Sequence, residues 1–349
     1  MHNHMPDKLV KIIRHTAAAA LSAAAMLLTG CDSLIYQYEG DCDPHYKARF
    51  VFDYNMLETD AFASQVKAVK LYLIDPASGD IVWQGSDSGD ALRAEGYTMD
   101  LPVEPGTYEF VAWCGEGAGT HFAIPTDATH HTHLTSTLGR SREDDGSASV
   151  CNDILPLFHG YLEAQTFPDD EGTFIFKVPL VKDTNDVNIV LQHLSGEEVS
   201  KDDYTFTIVD NNGSMDWDNS LMPDETLTYM PHHIWQGTAG TGGEMPSKAD
   251  ISSITACMAE HTVARLVKGQ DTRVIITNKK GHEVVNIPLI DYALMVKHSH
   301  CAHMTDQEFL DRQDKYDIVF FLDKNDHWTS AHIHIQSWTI VKQNVSLGS

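Results

Sequence analysis

The chain has 349 residues, of which 42% are hydrophobic, 9% aromatic and 21% charged. This composition supports a packed core and excludes a disordered or collagen-like chain. At about 150 residues per domain the length calls for two domains. Lys and Arg number 24 against 50 Asp and Glu, giving a formal charge of −26. A field of that sign and size repels phosphate backbones and excludes nucleic acid as a partner.

Lys8, Lys11 and Arg14 precede an apolar run from Thr16 to Leu28 that is too short to span a bilayer comfortably, so residues 1–30 read as a signal peptide. The run closes on Leu28-Thr29-Gly30-Cys31, which resembles a bacterial lipobox. Small residues at Thr29 and Gly30, behind Leu28, suit the signal peptidase, and the Cys31 thiol is expected to carry lipid as the mature N-terminus. More than one acyl chain on Cys31 is enough for stable anchoring, at about 0.8 kcal/mol per buried methylene. No second apolar run of membrane-spanning length follows. Five cysteines remain after Cys31, at positions 42, 114, 151, 257 and 301. An odd count leaves at least one thiol unpaired or paired between chains, and the sequence does not fix any pairing.

Beyond a lipidated tether over residues 31–47, the hydrophobic period is mostly two. Phe50, Phe52 and Tyr54 alternate with polar or outward positions, and a short turn is expected over Thr59 to Gln65. Val69, Leu71 and Leu73 predict a strand with one buried face, as do Tyr97, Met99, Leu101 and Val103. Pro105-Gly106 predicts a hairpin turn into Tyr108 to Trp113, since proline presets φ and glycine accepts a positive one. Thr126 to Ala148 reads as an exposed, mobile loop, and the Gly-, Asp- and Pro-bearing stretch His159 to Thr173 as a connection. A domain boundary is expected near Val178, separating residues 48–178 from 179–349.

In the second half Val187 to Leu191, Tyr204 to Ile208, Val274 to Thr277, Val284 to Leu289, Ile318 to Leu322 and Ile333 to Ile340 predict further strands, with a Gly-rich loop at Gln236 to Ser247. One helix has a clear start: Thr305 and Glu308 form a capping box, Met304 and Phe309 a hydrophobic staple, and the helix should run to about Lys315. Many short strands and almost no long helix predict an all-β protein of two β-sandwiches and exclude a parallel α/β fold.

An ordered set of segments then resembles a known family. Tyr54-Asn55-Met56, Leu71 to Asp75, Pro105 to Tyr108 with Ala112-Trp113, Leu180 to Asp186, Asp210 to Gly213, Asp218-Asn219 and the closing Trp328 and Trp338 together resemble the FimB-type fimbrial anchor family, lipoproteins of type V pili in anaerobic Gram-negative bacteria. The resemblance implies tandem transthyretin-like β-sandwiches and a non-catalytic role in cell adhesion at the base of the fimbrium. Its implied partners are the shaft subunits (fimbrillins) and outer-membrane lipid reached through Cys31. It implies joining by β-strand donation, in which main-chain hydrogen bonds give affinity and alternate side chains give register. On this chain the last strand, Ile333 to Val345, is the candidate donor, with Ile333, Ile335, Thr339 and Val341 as its named positions. Lys47 and Arg49 sit where a processing protease could cut before the first strand, and an uncut chain is favoured because cleavage there would damage the strand and release the lipid.

Other chemistry is weaker. His298, His300, Cys301 and His303 are spaced to place two imidazoles on one strand face, and His130, His131, His133, His332 and His334 add to the count. A chain with 20 histidines produces such runs without a metal, and HExxH is absent. Asp210, Asn212, Asp216 and Asp218 resemble a calcium loop, but Gly213 comes too early for an EF-hand, so a solvated turn is expected. No metal, cofactor or enzymatic motif is assigned. The alternatives to an anchor are a tip or stalk subunit, or a surface lipoprotein that binds glycans through Trp83, Trp217, Trp235 or Trp328.

Overall fold

The structure is a computed structural model that describes residues 43–115, 121–240, 253–297, 301–325, 327–335 and 338–343. The signal peptide, the Leu28 to Cys31 lipobox, Cys42, His298 and His300 lie outside these residues. Residues Tyr46–Pro168 and those from Phe174 onward make one compact unit, and the fold below is that unit. No helix among the described residues is long and apolar enough to cross a membrane.

In the first half the strands are β1 (Pro44–Val51), β2 (Ala68–Ile74), β3 (Ile81–Ser88), β4 (Met99–Asp100), β5 (Gly106–Gly115), β6 (Phe122–Ala123), β7 (Ser136–Leu138), β8 (Ser141–Arg142), β9 (Ala148–Val150), β10 (Leu157–Phe167) and β11 (Gly172–Lys182). Those of the second half are β12 (Thr184–His193), β13 (Tyr204–Asp210), β14 (Ser214–Met215), β15 (Leu227–Tyr229), β16 (His233–Gly240), β17 (Ser253–Ala264), β18 (Arg273–Asn278), β19 (Glu283–Pro288), β20 (Lys315–Leu322), β21 (Trp328–Ile335) and β22 (Trp338–Gln343). Three short helices are α1 (Phe62–Gln65), α2 (Leu289–Met295) and α3 (Asp306–Arg312). The protein is all-β, as its period-two segments predict.

The first sheet runs β3-β2-β5-β10-β11-β1-β4, the second β16-β17-β12-β20-β21-β22 and the third β19-β18-β13-β15-β9-β8. On the first sheet Leu71, Leu73, Phe110, Ala112 and Phe158 face one core together with Phe50, Phe52 and Phe62. Phe52 meets Phe158 edge-on at 4.9 Å and Phe167 stacks on Phe176 at 4.2 Å, arrangements that suit the ring quadrupoles. The opposite face is buried as well: Tyr72, Ile74, Val111 and Trp113 join a second core with residues of β12, β13, β17, β18 and β20. The expectation of one buried face on the Val69 to Leu73 strand is therefore corrected. Four successive residues, Leu71 to Ile74, are fully buried because cores lie on both sides. The Trp113 indole donates to the Leu134 carbonyl at 3.1 Å, which satisfies its one polar atom.

Several local expectations change. The Tyr97 to Val103 segment is strand only at Met99–Asp100, and it pairs with β1, whereas β5 pairs with β2 and β10. Pro102 and Pro105 have no N–H to donate, so the ladder cannot continue and Pro105-Gly106 does not close a hairpin. The Thr126 to Ala148 stretch is threaded into the second core by Ala128, Leu134 and Leu138, and β9 at its end pairs parallel with β15. First-half residues thereby complete a second-half sheet. The Val178 position lies inside β11, and the chain passes from the first sheet to the second at Asp183, between β11 and β12. The capping box forms, with the Thr305 hydroxyl accepting from the Glu308 amide at 3.0 Å, and α3 ends at Arg312.

Candidate functional site

Of the positions that the family resemblance singles out, the candidate donor reaches a sheet edge, whereas Lys47 and Arg49 lie in an interior strand. β22 closes the second sheet, paired antiparallel to β21 with Ile333 opposite Ile340, His334 opposite Thr339 and His332 opposite Val341. The expected single strand from Ile333 to Val345 is thus two strands: Ile333 and Ile335 lie on β21, which pairs with β20, while Thr339 and Val341 lie on β22. Residues 336 and 337, which lie outside the described residues, stand between them in sequence. Lys47 and Arg49 lie within β1, alternating with the buried Tyr46, Ala48 and Phe50. Lys47 pairs with Asp100 at 2.5 Å and Arg49 with Asp60 at 3.9 Å.

The described cysteines are free thiols. Cys114 and Cys257 are buried, and desolvation pushes the Cys257 thiol up to about 11 and raises Cys114 as well. Cys151 is exposed and Cys301 half-buried. Among the described residues no group of three His, Cys, Asp or Glu is placed to hold a metal ion. Of the tryptophans, Trp217 packs against His131 and Tyr161, and Trp328 meets Phe320 at 6.0 Å. A Cβ on Gly85 would lie 2.3 Å from the Trp83 ring, so glycine is needed beneath it. Trp235, 53% exposed, presents its ring most openly among the tryptophans whose side chains are described.

A buried polar centre, not assigned from sequence, lies where the chain leaves the first sheet. Arg265, one residue past β17, donates through Nε to Asp311 Oδ1 at 2.8 Å, through Nη2 to Asp311 Oδ2 at 2.9 Å, and through Nη1 to the Asn219 carbonyl. Asp183, fully buried, lies 3.8 Å from the same guanidinium and accepts from Asn219 Nδ2 at 2.9 Å. Burial lifts the Asp183 carboxyl to about 7 even though Arg265 and Asn219 pull it down. Asn212 donates to the Ala264 and Arg265 carbonyls at 3.1 and 3.0 Å, and Asn185 to the Ala264 carbonyl at 3.5 Å. Asn219 adopts φ 66°, a left-handed conformation that Asn tolerates better than most residues. The solvated turn expected for Asp210 to Asp218 is corrected at its first half. Asp210 and Asn212 are buried, with Asp210 accepting from the Thr272 hydroxyl at 2.5 Å. Three segments of the family resemblance, Leu180 to Asp186, Asp210 to Gly213 and Asp218-Asn219, therefore converge on Arg265. The sequence carries their order, but nothing in it pairs Asp183 with a residue 82 positions away.

The model of a family described as fimbrillin-A associated anchor proteins Mfa1 and Mfa2 matches residues 38–344. The chain belongs to that family. Among solved structures, a candidate adhesin from Bacteroides thetaiotaomicron is 30% identical, with a TM-score of 0.73 over 88% of this chain and all of the other. A candidate polysaccharide-binding protein from the same species is 27% identical, with a TM-score of 0.71 over 87% and 99% of the two chains. The fimbrial anchor protein Mfa2 from Porphyromonas gingivalis, at 18% identity, shares the fold with a TM-score of 0.61 over 86% and 99%. No curated protein matches the chain. As a member of the Mfa2 family the chain carries the β-sandwich architecture of fimbrial proteins, as the sequence resemblance implies.

Proposed function

We propose that this Mfa2-family protein is the lipid-anchored, non-catalytic subunit that holds a fimbrial shaft at the outer membrane, limits its length, and joins it by β-strand donation. Cys31 supplies the anchor on the cell surface, and shaft subunits are the partners. The observation that carries the reading is the position of β22. Among the described residues it is the last strand and the terminal strand of its sheet, held by one neighbour. A strand in that position can leave its sheet, or accept another chain's strand, without breaking an interior ladder. The placement of Lys47 and Arg49 inside β1 supports an uncut chain, because cleavage there would sever a paired strand.

The test is deletion of Val341 to Ser349. The truncated protein should remain folded and lipidated on the cell while fimbriae are shed into the medium. Full-length fimbriae retained on the truncated protein would remove strand donation. A large loss of thermal stability without shedding would mean that β22 only completes its own sheet. For the anchor itself, Cys31→Ala should abolish labelled palmitate incorporation, and equal labelling would refute acylation at that residue.

A further inference from the structure

The cleft beside Arg265 carries an inference that does not depend on anchoring. It encloses about 300 Å³, room for a single ring and its substituents. Phe158 and Leu180 face the first core, so the alternate residues of the same two strands, His159 and Tyr161 on β10 and Pro179 and Val181 on β11, face the other way and floor the cleft. That floor is largely apolar. The polar side of the lining is formed by Tyr54, Asp218, Asn219 and Arg265.

This polar side offers both donors and acceptors. A guanidinium has five N–H groups, and Arg265 commits three of them to Asp311 and the Asn219 carbonyl, which leaves two for a ligand. The Tyr54 hydroxyl has no hydrogen-bond partner among the described residues, and burial raises its pKa, so it stays protonated and able to donate. Asp218 is exposed and presents a carboxylate. The charge of Arg265 is already matched by Asp311 and faced by Asp183. An incoming anion would meet carboxylates, and an incoming cation would meet the guanidinium. A neutral ligand with one apolar face and hydroxyls around its edge meets neither obstacle.

We propose that this cleft is a binding site for one neutral pyranose residue, with the C–H face of the sugar on Tyr161 and Pro179 and its hydroxyls on Tyr54, Asp218 and Arg265. The test is saturation-transfer NMR on the detergent-solubilised full-length protein, with the methyl glycosides of glucose, galactose and mannose as probes. At least one probe should bind, and Tyr161→Ala and Asp218→Asn should each weaken it by about tenfold, the change expected for losing one good stacking or polar contact. Trp235→Ala should bind as the wild type does. Asp218→Asn changes an exposed residue at constant volume and decides the matter if Tyr161→Ala does not fold. The proposal is overturned if none of the three probes shows transfer, if Asp218→Asn leaves affinity unchanged, or if binding is lost in Trp235→Ala and kept in both cleft variants.

Discussion

Two polar clusters sit on either side of residues 213–218, and they differ in how completely they are satisfied. Around Asn212 every buried side-chain atom has a partner: its amide oxygen accepts from the Tyr229 hydroxyl at 2.6 Å and its nitrogen donates to two carbonyls. Around Asn219 two buried atoms, Asn219 Oδ1 and Asp183 Oδ2, have none. A closed network of this kind fixes one arrangement of its strands. The open one keeps a buried carboxyl whose charge depends on pH and surrounds a cleft with donors still to spare, so the second cluster is the place to look for chemistry and the first for architecture.

That contrast can be broken most forcefully at Arg265. Arg265→Ala leaves Asp183 and Asp311 buried beside each other without a cation, and should cost about 3–5 kcal/mol of stability in urea unfolding. A loss below 1 kcal/mol would mean that the centre is far wetter than its burial indicates. Asn212→Ala should cost about 2–3 kcal/mol, since the Tyr229 hydroxyl and two carbonyls lose their partner together. If it costs less than the surface change Asp218→Asn, the closed network is not structural.

Asp183→Asn should act in the opposite sense, stabilising the protein at high pH where the other two changes destabilise it. The folded chain holds a proton on Asp183 up to about pH 7, whereas the unfolded carboxyl releases it near 3.8. The contribution of this group is therefore fully present below 3.8, and it falls as pH rises towards 7. Asp183→Asn should flatten that segment of the stability curve, matching the wild type in acid and exceeding it above pH 7. Urea midpoints that fall in parallel for both proteins between these pH values would count against a titrating Asp183.

Much of the fold was legible because strands advertise themselves by period. The β13 segment (Phe206, Ile208) and the β18 segment (Val274, Ile276) bury the alternate residues that their patterns name. The α3 start was legible for a different reason, since Thr305 and Glu308 lie three apart and need no distant partner. Helix α2 was not, because Leu289 to Ala293 is apolar on most sides and reads as an extension of the strand before it. The same limit hid the polar centre. Asp183, Asn219, Arg265 and Asp311 come from four separated segments, and sequence order alone does not say which loops fold onto one another. The division into β21 and β22 is not legible in the sequence, because no Gly or Pro stands between Ile333 and Ile340 to mark a break.

The double burial of β2 and β5 bears on how the molecule melts. A ladder whose two faces each seal a different core is a wall held in common: removing either core strips one side of Leu71 to Ile74 and of Phe110 to Cys114 and leaves a row of large apolar side chains facing water. Each core therefore loses its boundary when the other is lost. In calorimetry such coupling gives one transition in which the measured heat equals the van't Hoff enthalpy, where loosely strung modules would give two.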